Sequence, residues 1–398
     1  MNSPSRSIVP IPYGRQSVSQ EDIESVVSVL HSDWLTQGPV VPAFEQAISN
    51  LCNVQRAVAT NSATSALHIA CLALDVGSED VVWTVPNTFV ASANCALYCG
   101  ARVDFVDIDT DTLCMSASAL EAKLAQTMAT GQQLPKVVIP VHFGGQSCDM
   151  EAIHDLSLRF GFHVIEDASH AIGATYKGKP VGSCQYSDIT VFSFHPVKII
   201  TTGEGGMAVT NDPALAQRMS MLRSHGVTRD PEMLERSNAP AWHYEQQMLG
   251  MNYRMTDLQA ALGISQMGRL GEFIRLRCDI AHRYDEALKN EGLRQQLVPA
   301  YTSSARHLYI VHVESSQRDT IFTQLRHAGI GVNVHYASVH LQPYYRQLGF
   351  AEGLCPNAEV HGSETLSLPI YPDLEKSEQD HVITTLIELL KKPLGIAA

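Results

Sequence analysis

The sequence is poor in basic residues. Its 398 residues include 28 Lys and Arg against 41 Asp and Glu, which gives a formal net charge of −13 at pH 7. Proteins that bind nucleic acids need a basic face for the phosphate backbone, so this balance argues against a nucleic-acid partner. A substrate that carries phosphates must instead find a local positive patch, because the protein as a whole does not attract it.

Several sequence signals are also missing. There is no apolar run long enough to span a bilayer and no signal peptide, which predicts a cytoplasmic protein without a membrane partner. The nine cysteines show no C-x-x-C spacing, as expected for reduced and mostly buried thiols. The 17 histidines show no H-E-x-x-H or similar spacing, so we predict no metal site. A simple nucleotide-binding module is disfavoured because the chain lacks a G-x-G-x-x-G turn and a Walker loop.

What the chain does contain is a lysine in a glycine-rich loop. The stretch Ile189–Phe194 has the composition of a buried strand, Lys198 follows it, and Met207–Thr210 is typical of another strand. A loop between strands can fix a lysine and partly remove it from water, which leaves more of the amine uncharged and free to attack a carbonyl. On this stretch alone, an ordinary surface lysine in a turn is an equally good interpretation.

A second stretch, Phe162–Ala171, places two carboxylates at the end of a predicted strand. In open α/β sheets, ligands bind outside the carboxyl ends of the strands. We predict that Asp167 faces the ring nitrogen of pyridoxal phosphate, because an ionised Asp keeps that nitrogen protonated and lets the ring accept electrons. Its neighbour Glu166 should point to the opposite face of the strand. A strand that ends in Asp is also common for capping reasons alone.

A third stretch, Val58–Ala70, has the pattern of a strand end, a polar turn and a helix start. Small residues in the turn, among them Ala63 and Thr64, leave backbone N–H groups accessible, and a helix N-terminus favours a phosphate there. The alternative is a plain Ser or Thr helix cap.

These three stretches occur in an order that suits one cofactor, and with them the sequence resembles the DegT/DnrJ/StrS sugar aminotransferases. The resemblance extends from Ile11–Gly14 to Leu368–Pro372, which is nearly the whole chain. It implies the fold type I aminotransferase scaffold with pyridoxal 5'-phosphate as the cofactor. Within the family the chain is most similar to members of the pseudaminic acid pathway, through the blocks Asp33–Pro39, Asn61–Leu67 and Ser193–Lys198.

The order of predicted elements defines the fold class. Strands and helices alternate over residues 54–195, which predicts an α/β fold with a mainly parallel sheet covered by helices. Near its start, the chain is predicted to form a helix from Gln20 to Leu30, because Ile23, Val26, Val27 and Leu30 recur at the helical spacing and form an apolar stripe. Later in the chain, we predict a long helix from Asp257 to about Leu288 and a strand from Gly331 to Tyr336. The expected organisation is an extended N-terminal segment over 1–20, a large cofactor-binding domain over 21–275 and a smaller C-terminal α/β domain over 276–398.

The family resemblance also implies roles for single residues. Phe89 would stack on the pyridine ring, and His170 would hydrogen-bond the ring hydroxyl at a position where many members carry Gln. Asn252 would reach the cofactor phosphate of a neighbouring subunit and Arg254 the carboxylate of the amino donor, so that a homodimer builds shared active sites. The predicted set is Lys198 as the catalytic residue; Ala63, Thr64, Phe89, Asp167, His170, Ser193, Lys198 and Asn252 at the cofactor; and Tyr13, Arg229, Arg254, His335 and Tyr336 at the substrate.

Most of these residues also have a structural interpretation. Phe89 can be an ordinary core aromatic, and Arg254 can form an interface ion pair. His142 can either contact the cofactor or cap the end of its strand, and the same two interpretations apply to His170. In the basic loop Leu222–Asp230, the side chains of Arg223 and Arg229 can either meet a diphosphate or remain solvated surface charges.

The resemblance implies transfer of an amino group from L-glutamate to the C4 ketone of a UDP-linked 6-deoxy-N-acetylhexosamine. Related C4 aminotransferases of the bacillosamine and legionaminic acid pathways remain alternatives, as does a non-catalytic regulator on the same scaffold. Some relatives are sugar dehydratases in which His replaces the lysine. The presence of Lys198 argues against dehydration, and Lys198 together with Asp167 argues against the regulator.

Overall fold

The structure is a computed structural model that describes residues 10–391. The helices follow the predicted apolar periodicity, and polar caps begin several of them: the Ser19 side chain accepts from Asp22 N–H, and the Thr256 side chain from Gln259 N–H. The helices are α1 (Gln20–Leu30), α2 (Val40–Cys52), α3 (Ala63–Ala73), α4 (Ala91–Tyr98), α5 (Ala117–Ala129), α6 (Met150–Phe160), α7 (Pro213–Leu222), α8 (Asp257–Met267), α9 (Leu270–Leu288), α10 (Ser315–His327), α11 (Pro343–Gln347), α12 (Pro356–Glu364) and α13 (Lys376–Lys391), with short 3₁₀ turns at Phe143–Gly145 and Val339–Leu341.

The strands are short and most of them are buried. They are β1 (Arg56–Thr60), β2 (Val81–Thr84), β3 (Arg102–Phe105), β4 (Val137–Ile139), β5 (His163–Asp167), β6 (Thr175–Tyr176), β7 (Lys179–Pro180), β8 (Ile189–Ser193), β9 (Gly206–Thr210), β10 (Val227–Thr228), β11 (Glu245–Gln246), β12 (Arg294–Gln295), β13 (Thr302–Ser303), β14 (Tyr309–His312) and β15 (Thr365–Leu368).

A seven-stranded sheet organises the large part of the molecule, with the strand order β1-β9-β8-β5-β4-β2-β3. Only β9 runs antiparallel to its neighbours in this sheet, while the pairs from β8 to β3 are all parallel. This confirms the predicted α/β class with a mainly parallel sheet. Strands β5 and β8 are adjacent and parallel, so the Asp167 end of one and the loop after the other lie at the same edge.

The small C-terminal part has its own sheet, β12-β14-β15, and its own core. Ile11 packs into that core with buried residues from Ile280 to Leu389, so the N-terminal segment is anchored against the far end of the chain. The boundary predicted between residues 275 and 276 falls inside α9.

Two predictions of regular structure are wrong. The helix predicted from Asp257 to Leu288 is two helices, because α8 ends at Met267 and α9 begins at Leu270. Gly268 lies at the break, in keeping with the low helix propensity of glycine.

The segment 331–336 is not a strand either. Its hydrogen bonds go to two separate partners, with Gly331 N–H donating to the Ile11 carbonyl at 2.6 Å and Asn333 forming a single bridge to Ser367.

The predicted apolar stripe of α1 faces outward in the single chain. Ile23, Val27 and Leu30 are 49%, 41% and 56% exposed, while Val29 on the inner face is buried. An exposed apolar stripe of this kind is typical of a surface that another protein covers.

None of the helices between residues 10 and 391 has the length and apolar character that crossing a membrane requires.

Candidate active site

Lys198 lies in the loop between β8 and β9, which backbone hydrogen bonds close. Phe194 N–H donates to the Gly205 carbonyl at 2.9 Å, and Lys198 N–H donates to the His195 carbonyl at 2.8 Å. Loss of hydration lowers the pKa of Lys198 to about 8, and the negative charge of Asp167 opposes part of this shift. The backbone of Lys198 is therefore held in place, and its amine carries less charge than that of a surface lysine, as attack on a carbonyl requires.

Asp167 ends β5 with a buried carboxylate that is fixed at both oxygens. Ser92 Oγ donates to Oδ2 at 2.6 Å, and Ser169 N–H donates to Oδ1 at 3.0 Å. Glu166 instead bonds His142 at 2.6 Å, so the two neighbouring carboxylates face opposite sides of the strand as predicted. Of these two carboxylates, only that of Asp167 faces the side on which Lys198 lies.

The start of α3 lies beside the ends of β8 and β9. Ser62 caps the helix, and the N–H groups of Ala63 and Thr64 belong to the first turn, where a helix offers no internal acceptor. A Cβ atom at Gly206 would lie 2.5 Å from the Ala63 nitrogen, so only glycine allows β9 to begin this close to the helix. Ser193 pairs with Gly206 and is thereby placed next to the helix start. The group of Ala63, Thr64 and Ser193 suits a phosphate.

His170 is buried and its ring orientation is fixed. Gly144 N–H donates to its Nδ1 at 3.3 Å, so the neutral ring carries its proton on Nε2, which lies 3.3 Å from the Tyr336 hydroxyl. Loss of hydration lowers the pKa of His170 well below its ordinary value, and the positive charge of Lys198 adds to the effect. A neutral imidazole with a proton on Nε2 can donate to an oxygen such as a ring hydroxyl.

The small part of the chain closes this side of the site. His335 Nδ1 and Ser367 Oγ form a hydrogen bond of 2.7 Å, and the centre of the His335 ring lies 5.6 Å from that of the Tyr13 ring. Burial raises the pKa of Tyr13, with a hydrogen bond to Asn333 opposing the shift. A Cβ at Gly14 would lie only 3.9 Å from that of Val197, so the N-terminal segment also runs beside the lysine loop.

Arg229 and Arg254 line a separate open cavity of about 1150 Å³, whose lining includes neither Lys198 nor Asp167. The guanidinium of Arg229 lies 6.0 Å from the centre of the Tyr244 ring, and Trp34 lines the cavity as well. Arginines beside aromatic rings form a positive surface suited to anionic and planar groups.

Arg223, which the basic loop offered as a second candidate for a diphosphate, points into the protein. Its Nη1 donates to the Glu45 carboxylate and, at 2.7 Å, to the Ala59 carbonyl. Glu45 also accepts from Ala59 N–H at 2.8 Å. Arg223 therefore has a structural role at the end of β1.

Two of the predicted cofactor residues lie at the surface of the single chain. Phe89 is 61% exposed, which excludes the alternative of a core aromatic within one subunit. Asn252 is exposed as well and forms a bridge to Ser224. Both positions are open to a ligand or to a second subunit.

Sequence reasoning missed the residues that fix these groups. Ser92, in the first turn of α4, orients Asp167, and the backbone of Gly144 orients His170. Spacing from Phe89 gives no signal for Ser92, because Phe89 lies before the helix and is exposed whereas Ser92 is buried.

An amine with a lowered pKa, a fixed carboxylate and a helix N-terminus at one sheet edge is the arrangement that a fold type I pyridoxal-phosphate aminotransferase requires. The chain belongs to the DegT/DnrJ/EryC1/StrS aminotransferase family, which it matches over residues 16–387.

Relatives of the whole chain agree with this assignment. The chain is 39% identical over 388 residues to the spore coat polysaccharide biosynthesis protein SpsC of Bacillus subtilis, covering 96% of this chain and 97% of that protein. It is 37% identical over 390 residues to the UDP-4-amino-4,6-dideoxy-N-acetyl-beta-L-altrosamine transaminase of Campylobacter jejuni, covering 96% and 98%. The PLP form of Spr1654 from Streptococcus pneumoniae superposes with a TM-score of 0.86 at 31% identity, covering 96% and 98%, and its PMP form superposes equally well.

The enzyme therefore uses pyridoxal phosphate, and the residues present fit that group. The close approach of Gly206 to the start of α3 leaves backbone donors for a phosphate, Asp167 offers a fixed carboxylate, and Lys198 offers the amine. Over residues 10–391, no three His, Cys, Asp or Glu side chains are grouped as they would be around a metal ion. All nine cysteines are free, and seven of them are buried.

Proposed function

We propose that this aminotransferase moves the amino group of L-glutamate to C4 of a UDP-4-keto-6-deoxy-N-acetylhexosamine. The specific substrate proposed is UDP-2-acetamido-2,6-dideoxy-β-L-arabino-hex-4-ulose, an intermediate of pseudaminic acid biosynthesis. The observation that carries the reaction type is the pairing of Lys198, whose pKa is lowered, with the fixed carboxylate of Asp167 at one sheet edge. The sugar is supported by the Campylobacter jejuni transaminase, which matches the chain over nearly its whole length.

Each residue of the lysine loop and its surroundings has a defined task in this proposal. Lys198 would take a proton from the substrate carbon as general base and later return a proton as general acid. Asp167 keeps the ring nitrogen protonated, and His170 donates from Nε2 to the ring hydroxyl. Ala63, Thr64 and Ser193 hold the phosphate. The bound cofactor supplies an aldehyde for the amine and a cationic ring that accepts electrons.

Substrate recognition is proposed to need two subunits. Arg254 would bind the carboxylate of glutamate and Arg229 the diphosphate of the sugar nucleotide, while Tyr13, His335 and Tyr336 would contact the sugar. The arginines line a cavity whose lining does not include Lys198, and Asn252 is exposed, so a second subunit would bring these groups to one reaction centre. The exposed stripe of α1 offers apolar surface for such a homodimer. We also propose that the enzyme works in the cytoplasm.

Two other assignments compete with this one. A C4 aminotransferase of the bacillosamine or legionaminic acid pathway would use the same residues on a different epimer. A non-catalytic regulator would have the same scaffold but would not convert a substrate. The lowered pKa of Lys198 and the buried, hydrogen-bonded carboxylate of Asp167 favour catalysis, because surface regulation has no use for a desolvated amine.

The test is to purify the protein with its cofactor and supply L-glutamate followed by a panel of 4-keto UDP-sugars. We expect a yellow protein that glutamate bleaches and that the preferred sugar turns yellow again, with C4-amino product detected by mass spectrometry. Lys198→Ala should lower kcat by more than about a thousandfold, whereas the exposed control Lys289→Ala should not change it. A protein that glutamate never bleaches would favour the regulator, and a preference for another sugar epimer would reassign the pathway.

A further inference from the structure

His142 and Glu166 form a buried pair directly behind the residue that is proposed to face the cofactor ring. His142 Nε2 lies 2.6 Å from Glu166 Oε2, and the two side chains are 0% and 6% exposed. The chemistry proposed above uses neither residue. A buried charged group is costly unless it is fully paired, so the structure must gain something from keeping this one.

Every polar atom of the pair has a partner. Cys148 N–H donates to His142 Nδ1 at 3.2 Å, so the proton of the neutral ring is on Nε2 and is donated to Glu166. The other carboxylate oxygen accepts from the hydroxyls of Ser187 and Thr190, the latter at 3.1 Å. Burial opposes ionisation of Glu166, but the hydrogen bonds from His142, Ser187 and Thr190 outweigh it and lower the pKa of the carboxyl group.

The pair acts on the peptide that carries Asp167. His142 N–H donates to the Asp167 carbonyl at 3.0 Å, and Asp167 N–H donates to the Pro140 carbonyl at 2.9 Å. The side chain of Glu166 is tied on one face of β5, while that of Asp167 is tied to Ser92 on the other. The end of the strand is thus fixed from both faces, and a shift of the backbone that carries Asp167 would strain the hydrogen bonds of Glu166.

The same histidine begins the turn that orients His170. Phe143–Gly145 follows His142 directly, and Gly144 N–H in this turn donates to His170 Nδ1. A shift of His142 would therefore disturb two groups at once, namely the carboxylate of Asp167 and the imidazole of His170.

We propose that His142 and Glu166 are positioning residues for the cofactor ring, acting through hydrogen bonds that hold Asp167 and His170 in place. The inference rests on the role proposed above for Asp167. What it adds is that the geometry of the buried pair, and not its charge, determines how well Asp167 and His170 meet the ring.

The experiment measures two properties of the holoenzyme variants: the dissociation constant of pyridoxal phosphate and the pH at which the yellow absorbance band changes. Glu166→Leu and His142→Leu should weaken cofactor binding by about 10- to 100-fold, as loss of supporting hydrogen bonds does behind metal ligands. Both should also shift the spectral transition in the same direction as Asp167→Asn. Glu166→Gln keeps the shape and most hydrogen bonds of the pair, so it should behave like the wild type.

A second His–Glu pair, in which the histidine is buried and the glutamate half-buried, provides the control. His340 Nε2 lies 2.8 Å from Glu359 Oε1, with side-chain exposures of 0% and 14%, and this pair has no contact with Asp167 or His170 among its hydrogen bonds. Glu359→Leu should lower the melting temperature without moving the spectral transition. If Glu166→Leu fails to fold, His142→Asn decides the question, because it removes the contact and leaves Glu166 its two hydroxyl donors.

The outcomes separate the two proposals. If Asp167→Asn leaves the spectrum unchanged, the role proposed for Asp167 is wrong and the positioning role falls with it. If Asp167→Asn shifts the spectrum while Glu166→Leu and His142→Asn do not, the positioning role alone is wrong. An equal shift in Glu359→Leu, or a shift in Glu166→Gln as large as in Glu166→Leu, would also overturn it.

Discussion

The residues proposed for the active site form two groups, a lysine side and an arginine side, that hold their charges in different ways. On the lysine side, formed by Lys198, Asp167, His170 and Tyr336, hydrogen bonds fix Asp167 and His170, and loss of hydration lowers the pKa of Lys198. On the arginine side, Arg229 and Arg254 line an open cavity of about 1150 Å³. Removal from water disfavours the charged form of Lys198 and so prepares it for proton transfer, whereas an arginine that water can still reach stays charged and can capture an anion.

The same contrast holds within one loop. Arg223 is tied to Glu45 and to a backbone carbonyl, while Arg229, six residues later, is exposed beside Tyr244. Two arginines of similar sequence context thus differ in role because one faces the core and the other faces the cavity. Three experiments, in decreasing order of expected effect, probe this difference between fixed and accessible charge.

The largest effect should be a pH dependence confined to the lysine side. Because the pKa of Lys198 is lowered to about 8, the neutral amine becomes more abundant as the pH rises through that value. The rate at which the apoenzyme captures pyridoxal phosphate should therefore rise about 100-fold between pH 6 and pH 9 and then level off, as followed by stopped-flow absorbance. Pyridoxamine phosphate, which has no aldehyde, is the control. A capture rate that levels off only near pH 10.5 would mean that Lys198 is solvated like an ordinary lysine.

On the arginine side, Arg254→Gln should act on binding more than on chemistry. A hydrogen bond between two charged groups contributes about 1.5–3 kcal/mol, so the KM for L-glutamate should rise by about 10- to 100-fold with a smaller change in kcat. Steady-state kinetics with varied glutamate measure both constants. Arg275→Gln is the control, since its pair with Asp279 is exposed on a helix surface. An unchanged KM would remove Arg254 from the donor site.

The smallest effect should come from the inward-facing arginine. Glu45→Gln weakens the half-buried pair with Arg223 and should lower the free energy of unfolding by about 1–3 kcal/mol without changing KM. Urea denaturation of the apoenzyme measures it. The exposed pair of Glu121 with Arg159 is the comparison, because Glu121→Gln should cost less than about 1 kcal/mol. Equal losses in the two variants would show that burial of the Arg223 pair adds nothing.

The parts of the molecule that depend on local sequence were predictable. Alternating apolar strands and amphipathic helices identified the α/β class, and the bounds of α1 were predicted to the residue. The failures came where neighbours in space override local preference. The segment 331–336 has the composition of a strand, but its backbone bonds are divided between Ile11 and Ser367. The stripe of α1 has the period of a core-facing helix, but in the single chain it faces outward.

By itself, the sequence determined the lysine loop, the carboxylate at a strand end and the small-residue helix start, because each depends on a few consecutive residues. Only the tertiary structure decided what fixes them. Ser92 meets Asp167 across 75 positions, and Tyr336 meets His170 across 166. Contacts over such separations depend on how whole elements pack together, and the local periodicity of a sequence carries no record of that packing.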